Sequence, residues 1–173
     1  GVALVDIGGG TCDIIIFIEG GVAYTSVNSV GGIHVTNDIS IGLRTPLESA
    51  EIIKKKYGCS VVDLVDASEM IEVPSVGGRA PRRLFRQELS QIIEPRMMEI
   101  MEMIDRELVM SGKKELLAAG IVLTGGGSMI EGCVDVAERV FNMPVRIGTP
   151  RDISGLKDIA ATAQYSNGVG LLK

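Results

Sequence analysis

Three consecutive glycines between two apolar runs most constrain how this chain can fold. Residues 2–13 read VALVDIGGGTCD, and the apolar run Ile14–Ile18 follows at once. Short apolar runs bounded by glycine are typical of buried strands. The pattern therefore predicts a β-hairpin rather than a strand that leads into a helix. Because glycine has no Cβ and readily adopts positive φ, the backbone amides of such a loop can approach an anion closely.

A second strand–glycine junction lies far downstream, where residues 120–128 read GIVLTGGGS. Taken alone, the first loop is equally compatible with a plain hairpin turn, and the second is better explained as an ordinary turn from a strand into a helix. The two together favour a site in which backbone amides close around a phosphate-bearing ligand. The sequence has no GxxxxGK[ST] motif and no GxGxxG turn between a strand and a helix. A P-loop and a dinucleotide Rossmann site are therefore disfavoured.

Two carboxylates flank the first glycine loop and suggest a magnesium site. Magnesium usually keeps several water ligands and takes only one or two carboxylates from the protein. Asp6, at the end of a predicted buried strand, is the first candidate for holding the magnesium waters. Asp13 is the second candidate.

The composition predicts a soluble globular protein of the cytoplasm. Of the 173 residues, 46% are hydrophobic and 23% are charged, enough for a substantial core. A net charge of −5 and an aromatic content of 3% argue against binding to nucleic acid. Three cysteines without CxxC spacing and the single histidine His34 argue against disulfides or a metal cluster. We expect no signal peptide and no membrane span.

Glycines and capping signals predict the elements that follow the hairpin. Val22–Val30 alternates as a third strand, and Val35–Leu43 has the pattern of a helix. A second helix is predicted to start with Thr45 as N-cap and Pro46 as its first residue, and to stop at Gly58.

The rest of the chain is predicted to contain a long helix followed by further α/β structure. Residues 60–76 look like β structure. A helical pattern runs from Arg83 to Met110, with a break expected near Pro95. The other predicted elements are a strand at Ile121–Thr124, a helix through Val134–Val140, a strand at Val145–Ile147 and a short helix at Ile159–Ala163. Residues 31–117 thus read as an insertion between the two halves of a β-centred lobe.

The two glycine motifs, in this order, resemble the phosphate-2 and adenosine motifs of the actin/Hsp70 ATPase superfamily. Within it, three further stretches resemble the FtsA family of bacterial cell-division proteins, and they extend the resemblance over most of the chain. They are VTNDI at 35–39 with LRTP at 43–46, VGGR at 76–79 with IIEPR at 92–96, and the closing GVGLL at 168–172.

The resemblance implies an α/β fold: the actin-like, ribonuclease H-like ATPase lobe, with a mixed sheet flanked by helices and an inserted α+β subdomain. Residues 1–30 and 118–173 would form the nucleotide-binding subdomain IIA. Residues 31–117 would form the inserted, partner-binding subdomain IIB.

The resemblance also implies that ATP and Mg²⁺ are the ligands, with Asp6 organising the magnesium waters and Asp13 as second candidate. Lys54 is equally well explained as a solvated helix end. The residues implied at the nucleotide are Gly8, Gly9, Gly10 and Thr11 for the β- and γ-phosphates, Gly125, Gly126, Gly127 and Ser128 for the adenosine, and Glu51 and Lys54 for the ribose or base.

A cluster of arginines stands out in an otherwise acidic chain. By the resemblance, subdomain IIB receives the C-terminal peptide of FtsZ, so the cluster is a candidate groove for that acidic partner. The alternative is a solvated helical face on which the arginines pair with Glu88, Glu94 and Glu99. The arginines are Arg79, Arg82, Arg83, Arg86 and Arg96.

The function implied is that of an ATP-binding, actin-like protein that polymerises and tethers the FtsZ ring to the inner face of the cytoplasmic membrane at the division site. Relative to the family pattern, we expect the phosphate-1 loop, the first domain and the membrane-attaching C-terminal helix to lie outside this sequence. We therefore expect weak nucleotide binding without turnover by this chain, and a weak ATPase at most in the full-length protein. The alternative is an Hsp70-like or sugar-kinase-like ATPase domain of the same superfamily.

Overall fold

A computed structural model of the chain describes residues 1–77, 79–152 and 160–173. Short 3-10 turns lie at Val62–Leu64, Lys114–Leu116, Gly126–Met129 and Ala163–Tyr165. The strands and longer helices of the described residues are β1 (Val2–Ile7), β2 (Cys12–Ile18), β3 (Gly21–Asn28), α1 (Gly32–Gly42), α2 (Leu47–Tyr57), β4 (Met70–Val73), β5 (Arg82–Phe85), α3 (Arg86–Met110), β6 (Ile121–Thr124), α4 (Cys133–Phe141), β7 (Val145–Ile147) and α5 (Ser166–Leu171).

The central sheet has five strands in the order β3-β2-β1-β6-β7. β1 pairs antiparallel with β2, and β2 pairs antiparallel with β3. β1 and β6 are parallel, as are β6 and β7. The hairpin around the first glycine loop is therefore confirmed, and the sheet is mixed, as the family resemblance implied.

The two faces of the sheet differ in burial. On β1, Ala3, Val5 and Ile7 are buried, whereas Leu4 and Asp6 point to the opposite face and are half-buried. The buried face belongs to the main hydrophobic cluster, which also takes in the buried side of α3 and α4. Apolar residues on alternate strand positions thus fix which face of the sheet meets the helices.

The long helix α3 is continuous, and the break predicted near Pro95 does not occur. Pro95 lies inside a helix of 25 residues. Proline removes one main-chain hydrogen bond, but Ile93 and Met97 on either side are buried in the core and hold the helix together. Met97 and Met101 of the same helix are both buried in the core.

The segment before α3 departs from the sequence-based expectation. Of residues 60–76, only β4 is a strand, and a 3-10 turn occupies Val62–Leu64. The first residues assigned to the long helix form β5 instead, because they pair antiparallel with β4. The division of the chain at residues 31–117 stays a prediction, since α3 packs against α1 of the insertion and also against α4 beyond it.

The predicted cap of α2 is displaced by one residue. Pro46 occupies the N-cap position, and no side-chain cap bond is present. Thr45 lies one residue earlier, where its backbone N–H donates to Ser40 O at 3.1 Å and its carbonyl accepts from Ser40 Oγ at 2.8 Å. These bonds tie Thr45 to the end of α1, and its own hydroxyl is buried with no hydrogen-bond partner in the described part of the chain. The lysine-rich end at Gly58 is as predicted.

The C-terminal region holds one helix that sequence reasoning did not anticipate. The short helix predicted at Ile159–Ala163 falls partly outside the described residues, since Ile159 is not among them. Ala163 begins a 3-10 turn that leads directly into α5. None of the helices that the structure describes is both long and apolar enough to cross a membrane.

Candidate functional site

A cleft of about 440 Å³ lies between the two glycine loops and helix α2. Gly10 lines an adjoining hollow of about 230 Å³ that shares Gly9, Glu51 and Lys54 with the main cleft. Six residues singled out from the sequence line the main cleft: Gly8, Gly9, Gly126, Gly127, Glu51 and Lys54. Six further lining residues were not singled out from the sequence as site residues. They are Gly32, Lys55, Gly58, Met129, Ile130 and Gln164.

The start of α1 holds the first glycine loop in place. The amide of Gly32 donates to Gly8 O at 2.9 Å, and the amide of Ile33 donates to Gly9 O at 2.7 Å. These bonds use the carbonyls of the loop. The amides of Gly9 and Gly10 have no acceptor among the described residues. Free amides in a glycine loop are the donors that an anion requires.

Close packing explains why glycine also begins α1. A Cβ at Gly31 would lie 2.7 Å from Gly8 O and 2.9 Å from Gly9 O. His34, for which the sequence suggested no chemical role, accepts a hydrogen bond at Nδ1 from the Gly31 amide at 3.2 Å. His34 thus helps to shape the backbone beside the loop.

The second glycine loop packs directly onto the first strand. Gly125 has φ of 83°, and a Cβ there would collide with the Asp6 carboxylate. A Cβ at Gly127 would collide with the Ile7 side chain. Ser128 is buried, and its hydroxyl turns back to Gly125 O at 2.8 Å. Gly125 and Ser128 therefore support the loop, while Gly126 and Gly127 face the cleft.

Helix α2 contributes a hydrogen-bonded network to the cleft. Lys54 Nζ lies 2.7 Å from Glu51 Oε2 and donates to Thr36 Oγ1 at 2.8 Å and to Gly32 O at 2.9 Å. The side chain of Lys54 is only 10% exposed. The interpretation of Lys54 as a solvated helix end is therefore wrong. Thr36, which also hydrogen-bonds Glu51, was missed because its sequence context is an ordinary helix.

The network determines the charge state of Glu51. Burial alone would raise the pKa of this carboxyl, but hydrogen bonds from Lys54 and Thr36 and the charge of Lys54 lower the pKa to about 2. Glu51 is thus ionised at neutral pH. The cleft presents a carboxylate and an ammonium group on one wall and free glycine amides on the other.

Asp6 and Asp13 lie side by side but outside the glycine-lined cleft. They are cross-strand neighbours on β1 and β2, and they line a separate depression of about 420 Å³ with Thr124 and α5. Burial, and then the charge of Asp13, raises the pKa of Asp6. Thr11 Oγ1 donates to Asp13 Oδ2 at 3.1 Å.

The donor set at this pair suits a hydrated magnesium ion. Two adjacent carboxylates match the number that Mg²⁺ commonly takes, and a cation there would relieve their repulsion. The described residues contain no group of three or more histidine, cysteine or acidic side chains that could hold a metal directly. Any magnesium at Asp6 and Asp13 would therefore keep most of its waters.

The structure divides the arginine cluster into bound and free members. Arg86 pairs with Glu69 at 3.0 Å and with Glu131, and it donates to Tyr57 O at 2.8 Å. Arg86 therefore ties β5 and α3 to the segment that precedes α4. Its ionic partners are not the helical neighbours expected from the sequence.

Arg96 is likewise engaged. Its guanidinium meets both carboxylate oxygens of Asp38, at 2.6 and 3.1 Å, and also contacts Glu99. Arg82 donates to the carbonyl of Leu43. Arg79 and Arg83 are exposed, and neither forms an ion pair within the described part of the chain.

The sequence of this chain matches a known protein family. A family model described as cell division protein FtsA matches residues 3–170. The FtsA protein of Pseudomonas aeruginosa is 52% identical over 172 residues, which cover 99% of this chain and 41% of the relative. The FtsA protein of Escherichia coli is 47% identical over 179 residues, covering 99% of this chain and 43% of the relative. The chain thus spans about two fifths of the length of these curated relatives.

Solved structures of actin-like proteins share the fold. MreB5 of Spiroplasma citri bound to ADP superposes with a TM-score of 0.71 at 20% identity, covering all of this chain and 53% of that one. The MamK double helical filament superposes with a TM-score of 0.68 at 18% identity, over 94% of this chain and 53% of that one. The actin-like α/β fold expected from the motifs is confirmed.

The family match decides between the FtsA family and the alternative ATPase families considered from the sequence. It covers nearly the whole chain, so it leaves no part for the Hsp70-like or sugar-kinase-like alternative. The chain belongs to the FtsA family of cell-division proteins.

Proposed function

We propose that this chain is the nucleotide-binding and FtsZ-binding part of an ATP-dependent, actin-like division protein. That protein polymerises and tethers the FtsZ ring to the inner face of the cytoplasmic membrane. The observation that carries the proposal is the single cleft lined by both glycine loops and by Glu51 and Lys54. Structures similar in fold, MreB5 of Spiroplasma citri among them, have been solved with ADP and AMPPNP bound.

ATP occupies the cleft with its phosphates on the first loop. The free amides of Gly9 and Gly10, beside Gly8 and Thr11, bind the β- and γ-phosphates, because hydrogen bonds to a charged oxygen contribute roughly 1.5–3 kcal/mol each. Gly126 and Gly127 border the adenosine, on a loop shaped by Gly125 and Ser128. Glu51 and Lys54 bind the ribose or base from α2. Mg²⁺ is held through its waters by Asp6, with Asp13 beside it.

Binding is weak and no turnover follows. Among the described residues that line the cleft, the free amides suited to phosphate belong to the first glycine loop. Phosphoryl transfer requires charge stabilisation around the whole transferred group. Nucleotide therefore acts on this chain as a ligand that affects conformation and assembly.

Calorimetric titration with Mg-ATP tests the nucleotide site. We expect a Kd weaker than about 10 μM and no released phosphate. Gly9→Ala should weaken binding at least about fivefold, because the added Cβ meets no atom within 4 Å and enters the space of the ligand. Gly168→Ala on α5 is the matched control, since its Cβ also meets nothing within 4 Å.

Asp6→Asn adds a separate readout for magnesium. It should abolish the Mg²⁺ dependence of binding while binding without the metal persists. Sub-micromolar ATP affinity, or equal binding by the Gly9 variant and the wild type, would contradict the proposal.

The acidic C-terminal peptide of FtsZ binds the exposed arginines beside the β4–β5 hairpin. The five-arginine groove is best tested at Arg79 and Arg83, which are exposed and free of ion pairs among the described residues. Reversal of Arg86 or Arg96 would break internal ion pairs instead. Charge complementarity between the basic surface and an acidic peptide supports the assignment.

Fluorescence anisotropy with a labelled FtsZ peptide, with and without Mg-ATP, tests the partner site. Joint reversal of Arg79 and Arg83 to glutamate should weaken binding by more than about tenfold. Arg106→Glu, an exposed arginine on α3, should leave it unchanged. If reversal of Arg79 and Arg83 leaves the peptide affinity unchanged while Arg106→Glu weakens it, the peptide binds at another surface.

A further inference from the structure

β3 forms one edge of the central sheet, and its outer side is unpaired within the described chain. It pairs with β2 along its inner side. No backbone hydrogen bond joins it to any other described segment. An edge strand of this kind presents a row of N–H and C=O groups that another strand can bind.

Little in the sequence of β3 protects this edge. Natural edge strands are shielded by charged residues, proline or bulges, but residues 21–28 read GVAYTSVN, with neither charge nor proline. A bulge is present at Ala23, because Tyr24 pairs with Ile16 and Val22 pairs with Phe17. The bulge distorts the first part of the strand and leaves Tyr24–Asn28 regular.

The regular part of β3 has an exposed apolar side chain on one face and unpaired polar side-chain atoms on the other. On the open face of the sheet, Val27 is 61% exposed. On the face toward α3, Ser26 Oγ and Asn28 Nδ2 are buried and have no hydrogen-bond partner among the described residues. A buried polar group without a partner is unfavourable. A strand added alongside β3 would cover part of the exposed Val27 side chain on the open face.

We propose that two copies of this chain associate by antiparallel pairing of β3 with β3 of the second copy, about a two-fold axis at Ser26. In this register Ser26 opposes Ser26 of the second copy, and Thr25 opposes Val27. Tyr24 then opposes Asn28. Cross-strand hydroxyl pairs and apolar pairs are the contacts that stabilise neighbouring strands, and a two-fold interface closes after two copies.

Charge favours a second copy over a charged peptide as the occupant. β3 offers no charge to a charged partner, whereas pairing it with itself places no like charges opposite each other. The nearest carboxylate on β2 is Asp13, the neighbour of Val27. Across the dimer it lies at least three strand spacings from its counterpart, more than about 14 Å, beyond the screening length of about 8 Å.

Sedimentation equilibrium with paired charge variants tests both the contact and its register. The wild-type chain, of 18.4 kDa, should sediment at twice that mass, independently of nucleotide. Thr25→Lys with Val27→Lys sets lysine opposite lysine and should raise the dissociation constant about tenfold or more. Thr25→Glu with Val27→Glu should do the same. An equimolar mixture of the two variants should restore the dimer, as should Thr25→Lys with Val27→Glu.

Controls separate this contact from misfolding and from other surfaces. Val109→Lys with Ile41→Lys adds the same charge at helical positions that are 57% and 77% exposed, and should remain dimeric. Circular dichroism should show native folding in every variant. A monomeric wild type, a dimer that survives the double lysine change, or charge variants that fail to associate on mixing would each overturn the proposal.

Discussion

At the scale of single residues, the cleft depends on a few groups whose neighbours determine their chemistry. Lys54 is held by Glu51, Thr36 and the carbonyl of Gly32, so its ammonium group has a fixed position beside the glycine loop. The same contacts keep Glu51 ionised. A ligand in the cleft would therefore meet an ordered carboxylate and an ordered ammonium group without first having to arrange them.

Glu51→Gln should change how the free energy of unfolding depends on pH. The pKa of Glu51 is lowered from 4.5 to about 2 in the folded protein, so its ionised form favours folding. That contribution is complete above pH 4.5 and is lost as the pH falls toward 2. The variant should therefore show a shallower loss of unfolding free energy over this range in guanidinium titrations. Glu48→Gln, on the exposed side of the same helix, is the control, and an unchanged slope in the Glu51 variant would contradict the assignment.

At the scale of elements, the loops act as parts of the helices and strands that hold them. The first loop is fixed by the amides at the start of α1, and the second packs on β1 through Gly125 and Gly127. Arg86 joins the β5–α3 junction to Glu131 before α4. Each loop is thus positioned by an element that lies far from it in sequence.

Pro95→Ala should stabilise the protein through α3. Proline inside a helix removes a main-chain hydrogen bond, and its ring crowds the preceding turn. Because Pro95 is exposed within a continuous helix, alanine should raise the unfolding free energy by about 1–3 kcal/mol, measured by chemical denaturation. Pro46→Ala at the N-cap of α2, where proline is tolerated, should not stabilise. A loss of stability in the Pro95 variant would show that α3 requires the proline at this position.

At the scale of the whole molecule, the cleft joins segments that are separated by most of the chain. Its walls come from the β1–β2 loop, from α2 and from the turn after β6. A nucleotide that contacts all three would couple the predicted insertion at 31–117 to the sheet. A ligand can shift such a conformation only through contacts that differ between the states.

Hydrogen–deuterium exchange should report that coupling. Saturating Mg-ATP should slow exchange in both glycine loops and in α2 together, because binding stabilises the state in which all three segments are close. The β4–β5 hairpin, which does not line the cleft, should exchange at an unchanged rate and serves as the internal control. Slower exchange in only one glycine loop would mean that the ligand does not contact both loops and α2 together.

The sequence by itself determined the hairpin, the strand β6, the actin-like family and half of the residues that line the cleft. These features rest on local chemistry: apolar alternation marks the strands, and glycine marks the places where backbone must approach a ligand or another strand. The sequence also indicated the lysine-rich end of α2, since acidic and basic residues stand at opposite ends of that helix.

Only the tertiary structure decided which polar groups face one another. Arg86 and Arg96 stand with the free arginines in sequence, yet their ion pairs cross to Glu131 and Asp38. The sequence left Lys54 open between a solvated helix end and a nucleotide contact, whereas in the structure it is enclosed by α1. The continuity of α3 through Pro95 also comes from the core around it. In each case the deciding contact joins residues distant along the chain, and local patterns carry no information about such contacts.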